Sequence, residues 1–312
     1  MSEPRIIGTG LTSTARGITL DAWFPRMHWS DQQPDAPAPN LAEGVGPDSV
    51  RGVHRDPVTI KIDPQQPPVS TADAYARLHA LSYRLVRPNE INLDGIFAHL
   101  PIVAWTNAGP MHPDDVTDRR PILARAGIQI AGLDKFPRLL DYITPPGVRI
   151  ADASRVRLGA YLSPGTTVMH EGFVNFNAGT LGASMVEGRI SQGVKVGDGS
   201  DIGGGASIMG TLSGGGSHVI SIGARTLLGA NAGVGISLGD DCAVEAGLYV
   251  TAGSKVVLTG APDSSDGTAP VVKGSELSGS DGILFRRNSL TGAIEAVART
   301  GAGVTLNQAL HA

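Results

Sequence analysis

The chain has little of several things. It holds one cysteine, Cys242, in 312 residues, which excludes an internal disulfide framework and fits a reducing compartment. A lone cysteine inside a hydrophobic repeat reads as a buried, inert thiol. Aromatic residues make up 4% and charged residues 17% of the chain, and the formal net charge is -4. That balance argues against nucleic acid or an anionic membrane surface as the main partner. No apolar run approaches the roughly 20 residues of a membrane span, and no basic-plus-apolar segment opens the chain. The expectation is a soluble cytoplasmic protein.

Glycine is what the chain has in excess. Of its 42 glycines, 24 lie between residues 151 and 260, so the excess belongs to one region. There an aliphatic residue recurs every six positions: Ile150, Val156, Leu162, Val168, Val174, Thr180 as a weak beat, and Val186. The beat slips by four and resumes as Ile190, Val196, Ile202 and Ile208. After a Gly-rich insert it runs Ile222, Leu228, Val234, slips by four again, and ends Leu238, Val244, Val250, Val256. Neither a helix nor a simple strand sustains a period of six, whereas a parallel β-helix with triangular coils does. The pattern predicts five to six coils of about 18 residues stacked about 4.8 Å apart. The residue after each beat is often Gly, expected at corners with positive φ. The residue four after it is usually small, as at Thr166, Ala206 and Ser254.

Three domains are expected: an α/β domain over 1–145, the β-helix over 146–258, and a small β-rich domain over 259–312. In the first, Gly17–Phe24 and Val58–Ile62 read as strands, and the Pro-, Asp- and Ala-rich 31–47 reads as a mobile loop. Residues 70–86 read as a helix capped by Ser70 or Thr71, with Tyr75, Leu78, Leu81 and Leu85 on one face and Pro88 ending it. No catalytic constellation appears before residue 145. In the last domain, Ile283–Arg286 and Ala293–Val297 read as strands flanking a turn at 290–292. The insert 213–216, with Ser217 and His218, must loop out of the prism, where it is placed to cover a site.

The Gly-rich strings at 203–205 and 233–235 are not phosphate cradles, since no helical pattern follows either. Only His170 and His218 fall inside the repeat, too few for a three-imidazole zinc site. Most charges in the repeat read as solvated outward faces, among them Glu171, Arg225, Asp240, Asp241, Glu245, Lys255 and Lys273. Glu187 and Arg189 differ, because they bracket the first register slip. A carboxylate two residues from a guanidinium suits a reaction that needs a base beside a carboxylate-binding group. The tail string Phe285-Arg286-Arg287-Asn288-Ser289 concentrates two cations that, with Lys255 and Lys273, could hold a phosphorylated cofactor.

Several long strings resemble one family. They are Met169 to Asn175, Gly182 to Ser191, Asp201 to Gly216, Gly229 to Asn231, Glu245 to Gly253 and Phe285 to Ser289. Weaker similarity precedes them at Asp21 to Pro25 and Ala104 to Asn107. On these residues the chain resembles the tetrahydrodipicolinate N-succinyltransferases of actinobacterial type, within the hexapeptide-repeat transferases.

The resemblance implies a left-handed β-helix and transfer of succinyl from succinyl-CoA to the amino group of tetrahydrodipicolinate, in diaminopimelate and lysine biosynthesis. It implies a homotrimer with active sites between neighbouring prisms. Glu187 then matches the catalytic carboxylate, either as base and orienting group or as acyl-anhydride nucleophile, and the Gly210 N–H matches an oxyanion donor. Arg189, Gly204, Ser207, Ala230, Glu245, Ala246, Gly253 and Lys273 match ligand contacts, and Arg286, Arg287, Asn288 and Ser289 match contacts to the CoA end. No cofactor is needed for the chemistry. The resemblance also implies a magnesium ion on the trimer axis; Glu171 keeps one acidic position for it, but Ser154 stands where the family has Asp. Two other readings stay open: acetyl-CoA as donor on the same acceptor, and a non-catalytic prism serving as scaffold.

Overall fold

The computed structural model describes residues 5–32, 40–212, 218–259 and 269–299. Contacts divide the chain into two units, one of Met1–Thr144 with Arg157–Gly159, the other of Pro145–Val156 with Ala160–Ala312.

The first unit is built on an antiparallel sheet of β1 (Ile6–Ala15), β2 (Ile18–Trp29), β3 (Gly46–Asp48) and β4 (Val53–Ile62), in the order β2-β1-β4-β3. The sequence reading captured β2 and β4 only in part and missed β1, whose Gly and Thr content hides its alternation. Helix α1 (Thr71–Ser82) packs on this sheet, with Tyr75, Leu78 and Leu81 fully buried as expected. Ser70 caps it by accepting the Asp73 N–H at 3.1 Å. The helix ends before Pro88, because Arg84 turns into left-handed backbone (φ 63°) and the Leu85 N–H reaches back to Ala80 O. A short helix α2 (Ile96–His99) and a three-stranded sheet follow, of β5 (Val103–Thr106), β6 (Gly109–Met111) and β7 (Ile130–Asp134), with helix α3 (Val116–Arg125) between the last two strands.

The second unit is a parallel β-helix. Its first wall carries Ile150, Val168, Val186, Ile202, Leu228 and Val244 in register. The second carries Val174, Ile190, Ile208, Val234 and Val250. The third carries Leu162, Thr180, Val196 and Ile222. From Val156 to Val256 every beat residue is at most 2% exposed, so the beat fills the interior, each side chain contributing about 1.5–3 kcal/mol of burial. Thr180 is tolerated there because its hydroxyl pairs with that of Thr166 at 2.6 Å.

The coils are not uniformly 18 residues. Val168 pairs with Val186, but Val186 pairs with Ile202 and Leu228 with Val244, so each four-residue slip gives a coil of 16. The coil from Ile202 to Leu228 is lengthened by the insert. The base of that insert is closed by an antiparallel bridge between Thr211 and Val219; residues 213–217 lie outside the described residues.

Positive φ was expected directly after the beat; the structure places it three residues after, at Gly199, Gly205, Asn231 and Gly247 among others. The glycine next to the beat serves close approach instead. A Cβ at Gly203 would stand 2.5 Å from Leu228 O, and one at Gly223 would stand 2.2 Å from Gly239 C.

Beyond Val256 the first wall continues into the tail. Ile283–Arg287 pairs parallel with Ala243–Val244 and antiparallel with Ile294–Ala298, and Lys255–Thr259 and Val271–Lys273 complete a ten-stranded sheet. Phe285 stacks on Val244, fully buried. The sequence reads 260–270 as a polar, turn-rich connector; residues 260–268 of it, and the tail from 300 onward, lie outside the described residues. Among the described residues, no helix is long and apolar enough to cross a membrane.

Candidate active site

Because walls repeat in register, corners stack into edges. The edge between the first and second walls is built from residues 169–173, 187–189, 203–207, 229–233 and 245–249, one group per coil. Glu171, Glu187, Arg189, Gly204, Ser207, Ala230, Glu245 and Ala246 therefore lie on one edge, although the sequence spreads them over 76 positions.

The slip explains why Glu187 and Arg189 stand apart. Here three corner residues, 187–189, face the five of the next coil, 203–207. Ile202 O accepts N–H bonds from both Glu187 (2.8 Å) and Gly188 (2.9 Å), and Ala206 O accepts the Arg189 N–H at 2.8 Å. Gly188 is buried in the tight corner, where a Cβ would meet Ala206 O at 2.6 Å. The two flanking side chains project from it. Glu187 is half-buried and Arg189 exposed, and among the described residues no hydrogen bond or ion pair engages either charged group. Both are free for a ligand. Gly204 sits beside the Glu187 carboxylate, and Ser207 is the ladder partner of Arg189.

At the upper end the edge meets the tail. Glu245 donates its N–H to Phe285 O (2.9 Å), and its Oε2 accepts the Arg287 N–H at 2.5 Å. Glu295 takes the Arg286 Nε at 2.8 Å and the Asn288 Nδ2 at 2.7 Å, and these bonds hold its carboxyl below the usual range. The expected hairpin is present, its turn closed by Asn288 Oδ1 accepting from Leu290 and Thr291. Arg286, Arg287 and Ser289 are exposed.

Gly210, Gly253 and Lys273 are not on this edge. Gly210 follows Ile208 and so belongs to the edge between the second and third walls, while Gly253 follows Val250 of the second wall and leads into Lys255–Thr259 of the ten-stranded sheet. Lys273 pairs with Lys255 in that sheet, and the Gly274 N–H bonds Ser254 O. Within one chain the structure does not bring Gly210 to Glu187.

The two positions expected to serve an axial metal, Glu171 and Ser154, both have partners within the chain. Glu171 is exposed, with Arg155 at 3.5 Å and the His170 ring at 3.7 Å from its carboxylate. The Ser154 hydroxyl is spent on Asp152 at 2.7 Å. Among the described residues no three metal-ligating side chains converge. Cys242 is buried, donates its thiol to Ser280 O at 3.2 Å, and is pushed up in pKa by that burial, as a structural thiol should be.

Two positioning features escaped the sequence. Gly233 leaves room for the Tyr249 ring, which lies where a Cβ would be, in the same ladder as Ser207 and Arg189. Glu295 lies directly across the hairpin from Arg286; pairing the two predicted strands in register would have found it.

Comparison with known proteins points one way. Residues 100–138 match the family model described as tetrahydrodipicolinate N-succinyltransferase middle, and residues 219–252 match the hexapeptide repeat of succinyl-transferase. The 2,3,4,5-tetrahydropyridine-2,6-dicarboxylate N-succinyltransferase of Vibrio cholerae is 57% identical over 246 residues, covering 78% of this chain and 71% of the relative. The enzyme of the same name from Pseudomonas aeruginosa is 56% identical over 247 residues, with the same coverage. A Campylobacter jejuni crystal structure, provisionally assigned as a 2,3,4,5-tetrahydropyridine-2-carboxylate N-succinyltransferase, superposes with a TM-score of 0.81. It is 30% identical, covering 96% of this chain and 93% of that one. The actinobacterial subtype stays an expectation from the sequence.

Proposed function

Since the chain belongs to the tetrahydrodipicolinate N-succinyltransferases, we propose that it moves the succinyl group of succinyl-CoA to the amino group of tetrahydrodipicolinate, in its open form 2-amino-6-oxopimelate. The product is N-succinyl-2-amino-6-oxopimelate, an intermediate toward diaminopimelate and lysine, made in the cytoplasm. The observation that carries this reading is the unpaired Glu187–Arg189 couple on one edge of the prism, stacked with Gly204, Ser207 and Ala230.

The chemistry follows from the groups. An amine attacks a thioester once it is deprotonated and held in line. The Glu187 carboxylate accepts the proton from the acceptor's ammonium. The nitrogen lone pair then forms the C–N bond and the carbonyl electrons pass to oxygen; collapse of that oxyanion breaks the C–S bond and expels CoA as thiolate, which takes up the proton that the newly bonded nitrogen sheds as it becomes the amide. Direct attack makes a Glu187 acyl anhydride unnecessary. Arg189 suits a bidentate grip on a carboxylate of acceptor or succinyl. Arg286, Arg287 and Lys273 suit CoA phosphates, with Glu245, Ala246, Gly253, Asn288 and Ser289 alongside.

Gly210 enters only through a second copy. In a homotrimer the Glu187 edge of one prism would face the Gly210 edge of its neighbour, and the Gly210 N–H would then meet the developing oxyanion. No step runs through a metal.

Thiol release tests the reading. Succinyl-CoA with tetrahydrodipicolinate should release CoA thiol, and no release would overturn it. Faster release with acetyl-CoA would favour acetyl transfer instead, and release with neither would leave a scaffold.

A further inference from the structure

The first unit contains a cavity of about 430 Å³ whose walls include Asp21, Trp23, Arg51, Arg55, Trp105 and Tyr142. That size falls within the roughly 300–1,000 Å³ typical of small-molecule sites. It is far along the chain from the prism edge, and nothing in the transfer reaction uses it.

Two of its lining side chains, Asp21 and Arg55, carry buried polar atoms without a hydrogen-bond partner among the described residues. Asp21 is 4% exposed. Its Oδ2 accepts the Tyr142 hydroxyl at 2.6 Å, but Oδ1 is buried with no hydrogen-bond partner among the described residues. Ser13 is its cross-strand neighbour on β1. Burial pushes the Asp21 carboxyl up, against the pull of Ser13, Tyr142, Arg55 and Arg51. Arg51 is committed, with Nε on Asp48 at 2.7 Å and Nη1 on Pro110 O at 3.0 Å. Arg55 is not: its Nε is buried without an acceptor, and no ion pair engages it among the described residues. The two indoles are fixed, Trp23 by its N–H to Tyr142 O (3.1 Å) and Trp105 by its N–H to Asp134 O (2.9 Å).

Buried polar groups in folded proteins are almost always paired. A buried carboxylate oxygen and a buried guanidinium N–H without partners, on two side chains that line one cavity, suit a ligand with a cationic donor and an anionic acceptor. A phosphate would meet repulsion from Asp21, and a bare metal cation would meet it from Arg55. We propose that this cavity binds a free amino acid, with its ammonium on Asp21, its carboxylate on Arg55, and its side chain against Trp23 and Trp105.

Isothermal titration of the full chain, without succinyl-CoA, tests this with glycine, L-leucine, L-lysine and L-phenylalanine as probes. Isoamylamine and 4-methylpentanoate, the leucine analogues lacking one charge each, serve as controls. At least one amino acid should bind saturably. Loss of either charge from leucine, or Asp21→Asn, should weaken leucine binding at least tenfold. Ala108→Trp, at an exposed residue of the cavity rim, should abolish binding without burying anything new in the core. It covers the case in which Asp21→Asn fails to fold. Absence of saturable binding by all four probes, or binding that survives Ala108→Trp, would overturn the proposal. Because the readout is heat of binding and not thiol release, its failure is distinguishable from failure of the transfer reaction.

Discussion

The Glu187 carboxylate rests against Gly204 of the following coil, with Oε2 3.5 Å from the point where a Cβ on residue 204 would project. Its neighbour Gly203 has no such space, since a Cβ there would lie 2.5 Å from Leu228 O. Adjacent glycines thus have different reasons to be glycine. Gly203→Ala should cost about 1–3 kcal/mol through overpacking against backbone, lowering Tm by about 2–4 °C for each kcal/mol. Gly204→Ala should leave Tm nearly unchanged but raise KM, because the added methyl crowds the carboxylate and whatever binds it. Equal Tm losses in both variants, measured by calorimetry, would contradict the assignment.

Glu187→Gln keeps the side chain's size and removes its capacity to take a proton. If Glu187 is the base, kcat should fall about a hundred- to ten-thousand-fold, with Tm and oligomeric state preserved. The backbone bonds that fix this corner, from Glu187 and Gly188 to Ile202 O, do not involve the side chain. Near-full turnover in the variant would remove Glu187 from the mechanism.

What was legible in the sequence was whatever repeats locally. The six-residue beat named one inward residue per wall, all buried from Val156 to Val256, but not the buried residues between beats such as Phe176, Val194, Ile220, Ile236 and Leu248. The slip at Val186–Ile190 could be read as an irregular corner bearing Glu187 and Arg189. What could not be read was pairing at a distance. That Gly210 lies on a different edge from Glu187 follows only from which wall Ile208 joins. The post-beat glycines were assigned the wrong physical cause, since a missing Cβ serves close approach as well as positive φ, and sequence alone does not separate the two. Left-handed residues such as Arg225, Asn231 and Asp241 are not glycine at all, so only their spacing from the beat reveals them. The cavity around Asp21 assembles residues from five strands and three connecting segments, and no local pattern signals it.

Arg287 is held at the top of the edge by its own backbone, through the N–H given to Glu245. Among the described residues its guanidinium bonds Gly292 O alone, at 3.1 Å, leaving donors for a phosphate. Arg287→Ala should therefore raise KM for succinyl-CoA about tenfold, about 1.4 kcal/mol, with little change in kcat. The effect should shrink as salt is raised from 0.05 to about 0.5 M, because exposed charges are screened. A fall in kcat at unchanged KM would show that the residue acts elsewhere in the cycle.

His79 should make the stability of the protein fall in mild acid. It is fully buried on α1, its Nδ1 on Tyr75 O at 2.8 Å and its Nε2 accepting the Phe24 N–H at 3.3 Å. Both nitrogens are satisfied only by a neutral ring protonated at Nδ1. A second proton would set Nε2–H against the Phe24 N–H, and burial already lowers the pKa to about 4. With an unfolded value near 6.5, the unfolded chain binds the proton first as pH falls. The stability linked to His79 is thus fully present above about pH 6.5 and is lost progressively toward pH 4, amounting to about 3 kcal/mol. Asp21, held above its ordinary value by burial, works in the opposite sense. The readout is therefore the difference between the wild type and His79→Gln, which keeps a donor and an acceptor but does not titrate. Chemical denaturation at pH 7, 6, 5 and 4.5 should show the wild type losing stability faster than the variant across this window. Parallel curves would mean that the ring is already free to take its second proton in the folded state.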